Sequence, residues 1–212
     1  MLIASYNPKH VGDTLMLLLQ PDVAVQASEK KGQIVRLYDE TTQATIGFNF
    51  FEISNLLDLP TEGGQVFLTD NQVDKLNEAL VAVGFEAELV PDLTPKFVIG
   101  YVESVTPHPD SDHLQITKTK IGDDKYEQIV SGSPNMKADI YVVVAKVGAM
   151  MPSGLIIWPG ELRGVPSNGM IVSGRELQLP NAPQVPGALI LPADFQAIGE
   201  ALDFDKAQGL FS

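Results

Sequence analysis

Hydrophobic residues recur with two different periods along this chain, and the change of period organises it. Up to about residue 50 the apolar positions come in short β-prone runs, at 15–20, 33–38 and 44–50, separated by proline, glycine and aspartate. The period then lengthens in TDNQVDKLNEALVAVG. Val73, Leu76, Leu80 and Val83 fall three and four apart, Asp70 stands where an N-cap belongs, and Gly84 sits where a helix stops. LVPDLTPK follows, and Pro91 and Pro95 mark it as a boundary. The first domain is therefore expected to be α+β over residues 1–92, with a second domain over 96–203.

In the second half the period is two. Phe97, Ile99 and Tyr101 alternate with Val98, Gly100 and Val102, a strand with both faces covered. Residues 114–120, LQITKTK, alternate more clearly, with their polar positions expected to face solvent. Further strands are predicted at 127–131, 140–146, 155–158 and 169–172. Short strands joined by glycine- and proline-containing loops predict an all-β, closed or nearly closed barrel. Five strands with long connections fit an OB-fold, although periodicity alone leaves a small sandwich open.

Composition narrows the function. The chain has 212 residues, 44% of them hydrophobic, enough for two modest domains with separate cores. No run of about eighteen apolar residues exists, so no membrane partner is expected. The opening MLIASYNPKH lacks the basic, apolar and small-residue succession of a signal peptide, and a cytoplasmic location is expected. The absence of cysteine excludes disulfides, thiolate zinc sites and thiol catalysis. The net charge of −13 argues at first against nucleic acid, whose phosphates need lysine and arginine. Its distribution changes that picture. Residues 1–95 carry 5 Lys+Arg and 14 Asp+Glu, whereas residues 96–180 carry 8 and 9 and are close to neutral.

Candidate chemistry is sparse. HPDSDH, residues 108–113, offers His108, Asp110, Asp112 and His113, donors that suit zinc or manganese. Pro109 and the Ser-Asp pair equally make it a plain connecting loop, and no metal or other cofactor is expected. SGSPN, residues 131–135, lacks the G-x-S-x-G elbow, only three histidines exist to serve a triad, and phosphate-cradling glycine motifs are absent. Lys118 and Lys120, two apart on one strand, share a side of the sheet and form either a solvated face or a short electropositive strip. Aromatic residues are few in this half, and several lie in strands as candidate core. Shape and backbone recognition is thus expected over stacking on bases.

Three separated stretches carry a family resemblance: FVIGYVESVTPHPDSDHLQITKTKIG, then QIVSGSPN, then PGELRGVPSNGMIVSGRELQL. In that order, over about residues 96–200, they resemble the tRNA-binding OB domain. That domain occurs in the beta chain of bacterial phenylalanyl-tRNA synthetase, in free-standing tRNA-binding proteins, in some methionyl-tRNA synthetases and in synthetase cofactors. With an acidic domain in front, the whole chain is similar to the YtpR-like tRNA-binding proteins. The family's loop usually reads HPxADKL, and His113 stands here in place of the lysine.

The resemblance implies a non-catalytic protein that binds folded tRNA. It places Ser167, Asn168, Gly169 and Met170 at the RNA-binding edge. Serine and asparagine bond phosphate or ribose without charge, Gly169 lets backbone approach backbone, and Met170 offers a polarisable apolar surface. Arg163, Arg175, Lys118 and Lys120 are the candidate phosphate contacts, with Glu161 and Glu176 as alternative partners for Arg163. An aminoacyl-tRNA synthetase as partner and a homodimer both remain open. The rival reading is a protein-interaction module whose OB domain no longer binds RNA.

Overall fold

The computed structural model describes residues 1–211 and separates the chain into two units, Met1–Thr94 and Pro95 onward. In the first, β1 (Ile3–Tyr6), β2 (Thr14–Leu18), β3 (Gln26–Lys31), β4 (Ile34–Asp39), β5 (Thr45–Phe51) and β6 (Gly64–Val66) form one sheet in the order β3-β4-β5-β2-β1-β6. All its pairings are antiparallel. Helix α1 (Asp70–Ala82) supplies Val73, Leu76 and Leu80 to a core shared with Leu15, Leu17, Phe48 and Phe50. Three of these strands coincide with the predicted runs. β1, β3 and β6 were not legible, because β3 reads QASEKK and is mostly exposed, while β1 and β6 are only 4 and 3 residues long. With six strands and one long helix, the unit is mostly β, and α+β describes it only loosely.

The helix starts one residue earlier than its aspartate suggests. Thr69, not Asp70, is the N-cap, and a capping box joins it to Gln72. Asp70 instead occupies the first turn, where its charge complements the helix dipole. At the other end Gly84 takes φ 84°, and the N–H groups of Gly84 and Phe85 donate to the carbonyls of Val81 and Leu80, at 2.9 Å each. These two bonds close a Schellman motif.

The second unit contains β7 (Phe97–Pro107), β8 (Gln115–Lys120), β9 (Tyr126–Ser131), β10 (Ile140–Ala145), β11 (Gly160–Leu162), β12 (Val165–Ser167), β13 (Met170–Ile171), β14 (Ile190–Leu191) and the short helix α2 (Phe204–Gln208). The main sheet runs β13-β10-β7-β8-β9. Its two ends approach each other where the corner between β12 and β13 meets β9, so the sheet is a nearly closed barrel. A bulge in β7, between Val102 and Ser104, gives the long strand the bend that closure needs.

Both faces of β7 are covered, for a reason beyond the barrel itself. Val98 and Val102 point inward with Ile129, Ile140, Val142 and Val144. Ile99 points outward, into a second core with Val143, Leu177, Leu179, Leu189, Leu191 and Phe195. Two sequence expectations are corrected. Residues 155–158 form no strand; Met150 and Ile156 make a single bridge across the turn at Pro152–Gly154. In β8 the inward positions are polar: Thr117 and Thr119 are buried, bond each other at 2.9 Å, and Thr117 donates to the Ile129 carbonyl at 2.9 Å. The two hydrogen bonds offset the cost of desolvating these hydroxyls, so threonine can replace an apolar residue there.

Val90 and Leu93 are exposed in the last residues of the first unit, whereas Lys96, at the start of the second, is buried. Limited proteolysis is expected to cut between residues 90 and 95 and to yield two fragments that each unfold cooperatively. Loss of structure in the second fragment on cleavage would place the boundary elsewhere.

Candidate nucleic-acid interface

The SNGM turn is where the barrel closes. Ser167 is 5% exposed, and its Oγ accepts the Val130 N–H of β9 at 3.0 Å. The next residue repeats the link through the main chain: the Asn168 N–H donates to the Gln128 carbonyl at 2.9 Å. Gly169 then turns the chain at φ 142°, and a Cβ there would lie 3.1 Å from the Ala145 carbonyl. Only glycine suits such a backbone angle and so close an approach. Met170 pairs with Ala145 and opens β13, half-buried. The Ser167 hydroxyl is therefore occupied inside the fold, whereas Asn168 remains exposed. Its amide reaches Glu127, whose pKa burial pushes up against the opposing effects of Lys146 and of Asn168 itself.

A second set of bonds seats the HPDSDH loop on the hairpin of β11 and β12. Leu162 and Val165 are paired, and the two residues between them, Arg163 and Gly164, have φ 49° and 79°. That is a type I′ turn, with arginine where asparagine is more usual. His108 is buried, accepts the Asp110 N–H on Nδ1 at 3.0 Å and meets the Leu162 carbonyl with Nε2 at 3.0 Å. The two bonds select the tautomer protonated on Nε2. Both ring nitrogens are engaged by backbone, and among the described residues no group of three His, Asp or Glu side chains could hold a metal. The Arg163 guanidinium closes the contact by donating from Nη1 to the Asp110 carbonyl at 2.7 Å. Its partner is thus a carbonyl, not Glu161 or Glu176. Glu176 instead caps Ser173, accepting from both its N–H and its hydroxyl at 2.7 Å.

Beside the closing turn lies an open groove of about 480 Å³. Ser167, Gly169, Met170 and Arg175 line it together with Trp158, Ser131 and Ser133. Four of the sequence-predicted residues therefore converge. Trp158 and the two serines of SGSPN had no signal as a site, since only the fold brings residues 131–133, 158 and 167–175 to one place. Lys118 and Lys120 do not line this groove. They stand on the outer face of β8, and Lys118 is hydrogen-bonded and ion-paired to Glu103 on the β7 bulge. The Lys118 bond holds Glu103 below the usual carboxylate range, and the same bond raises Lys118. Glu103 thus tempers the expected electropositive strip.

Residues 97–197 match a family described as "Putative tRNA binding domain", and residues 21–92 match a domain of unknown function, DUF4479. The second unit is thus of a class built around binding rather than catalysis. Over 202 residues the chain is 48% identical to the "Putative tRNA-binding protein YtpR" of Bacillus subtilis (strain 168), covering 95% of this chain and 99% of that protein. The chain belongs to that YtpR family. It is also 42% identical over 143 residues to the phenylalanine–tRNA ligase beta subunit of Neisseria meningitidis, spanning 65% of this chain but 18% of the ligase subunit. The C-terminal domain of Plasmodium vivax p43 aligns at a TM-score of 0.35 and 27% identity, over 55% of this chain and 68% of that one.

Two outcomes test this geometry. Ser167→Ala leaves the buried Val130 N–H without its acceptor and is expected to cost about 1–3 kcal/mol in chemical denaturation, with faster amide exchange at Val130. Unchanged stability and exchange would remove the hydroxyl from the closure. Because Glu103 is lowered in the folded state, its small surface contribution is present above the ordinary glutamate pKa and is lost as pH falls through the lowered one. An NMR titration is expected to show Glu103 below the ordinary value in the wild type and returning towards it in Lys118→Ala.

Proposed function

We propose that this chain is a non-catalytic tRNA-binding protein whose second domain, residues 96–203, is an OB-fold that recognises folded tRNA. The observation that carries the reading is the coincidence of the tRNA-binding family match, residues 97–197, with a groove along the barrel's closing turn. The groove combines hydroxyls, the apolar surface of Met170 and Trp158, the carboxylates of Glu161 and Glu176, and a single arginine. Arg175 contacts phosphate, the exposed Asn168 amide bonds phosphate or ribose 2′-OH, and Met170 packs against a sugar or base. Ser167 acts by holding the turn in shape, and Arg163 by holding the hairpin against residues 108–113. A cytoplasmic location belongs to the same reading.

With so few cations on the barrel, only about two to four phosphates are neutralised, each adding about −0.7 to −0.9 to the slope of log K against log salt. Gel shifts of the protein with total tRNA at low and physiological salt are expected to show moderate affinity and this shallow slope. Arg175→Ala weakens binding and flattens the slope by about one contact, whereas Met170→Ala weakens it at unchanged slope. Folded tRNA binds better than a single strand of matched length. Wild-type affinity in both variants, with both still folded, would remove the groove from the interface.

A further inference from the structure

A row of side chains crosses the outer face of the barrel at right angles to its strands. Tyr141 on β10 is the Cα partner of Tyr101 on β7, Tyr101 is that of Lys120 on β8, and Lys120 is that of Tyr126 on β9. Directly opposed residues of antiparallel strands share a face. Their neighbours along the strands, Val142, Val102 and Thr119, are fully buried in the barrel, so the four side chains stand outside it. Tyr126 is 39% exposed, and the other three are half-buried. Phe195 lies in the second core and Phe97 and Tyr141 pack against it, as expected of several aromatics of this half, whereas Tyr101 and Tyr126 belong to no core.

The rings are held in place before any ligand arrives. The Tyr101 hydroxyl donates to Asp139 at 2.6 Å, and its ring meets Tyr141 edge-on with centroids 5.2 Å apart. The Tyr126 hydroxyl donates to Glu103 at 3.3 Å, while Lys118 Nζ lies 4.3 Å from the ring centroid. Preorganised rings lose little freedom on binding. Charge points to the kind of ligand. Lys118 is ion-paired to Glu103, and Asp139 stands at the Tyr101 hydroxyl, so the row carries little net positive charge and suits a flat π-surface more than a line of phosphates.

We propose that this row is a stacking platform for unpaired nucleobases, with Tyr101 and Tyr126 each presenting a ring to one base and Lys120 meeting the backbone between them. Spacing selects the single strand. β7 and β9 are two strand spacings apart, about 10 Å, whereas bases stacked in a helix repeat every ~3.4 Å. Neighbouring bases reach both rings only where the strand is extended and unstacked, as in a loop or a free end. None of the four residues lines the groove at the closing turn, so the platform is a second contact. It rests on the tRNA-binding reading and adds to it the part of the RNA that is grasped.

The test measures anisotropy of a labelled single-stranded oligoadenylate with the whole chain, alongside gel shifts with total tRNA. Wild type and Tyr126→Phe are expected to bind the oligonucleotide alike, because the ring is retained. Tyr126→Ala weakens it by about tenfold or more. Lys120→Glu, an outward substitution beside the rings, weakens it as well, and Arg175→Ala affects tRNA but not the oligonucleotide. Oligonucleotide binding by folded Tyr126→Ala and Lys120→Glu at wild-type strength overturns the platform, as does its loss in Tyr126→Phe. A wild type that binds tRNA but not the oligonucleotide overturns the platform and leaves the tRNA reading standing. A wild type that binds neither overturns both.

Discussion

The barrel depends on a hydroxyl at its seam. A sheet that closes on itself must bring two edge strands together, and here β12 and β13 are too short to supply a full ladder to β9. The Ser167 side chain substitutes for the missing backbone acceptor of Val130, and the Asn168 N–H adds a second link to Gln128. A buried N–H without a partner costs more than a single hydrogen bond contributes, so the serine is held to its position by the fold itself. Glycine must follow at 169 because the chain reverses against the Ala145 carbonyl. A turn that reads as a set of ligand donors is thus, in its first and third residues, an architectural element that shapes the groove beside it.

The same division of labour appears at residues 108–113. An imidazole flanked by carboxylates has the donor types of a metal site, yet His108 uses one nitrogen to accept from its own loop and the other to reach the hairpin. Arg163 sits at the tip of that hairpin and returns a bond to the loop. Polar residues that look functional in a linear pattern are here fixing an irregular loop to the tip of a hairpin, where the loop has no ladder of its own to satisfy its backbone. The proposed ligand contacts fall instead on the exposed Asn168 and Arg175 and on the partly exposed tyrosine row.

An acidic protein can hold RNA when its acidity is placed elsewhere and its contacts are not chiefly ionic. The first unit carries most of the negative charge. On the barrel, Glu103 offsets Lys118, and the proposed contacts are amides, hydroxyls, apolar surface and tyrosine rings. Such contacts are screened little by salt, in contrast to a lysine-rich interface.

The sequence by itself determined the helix that stops at Gly84 and the five strands of the second unit's main sheet, because each of these is a local preference repeated at a fixed period. It also carried the family, through three motifs whose order survives along the chain. Only the tertiary structure decided that Thr117 and Thr119 face inward, since a buried hydroxyl is tolerated only where a partner is already present. Only the fold could show that Lys118 is paired and that Ser167 is a closure residue, because Glu103 and Val130 lie 15 and 37 residues away from them. Register across four strands, which no single segment encodes, aligned Tyr141, Tyr101, Lys120 and Tyr126 into one row.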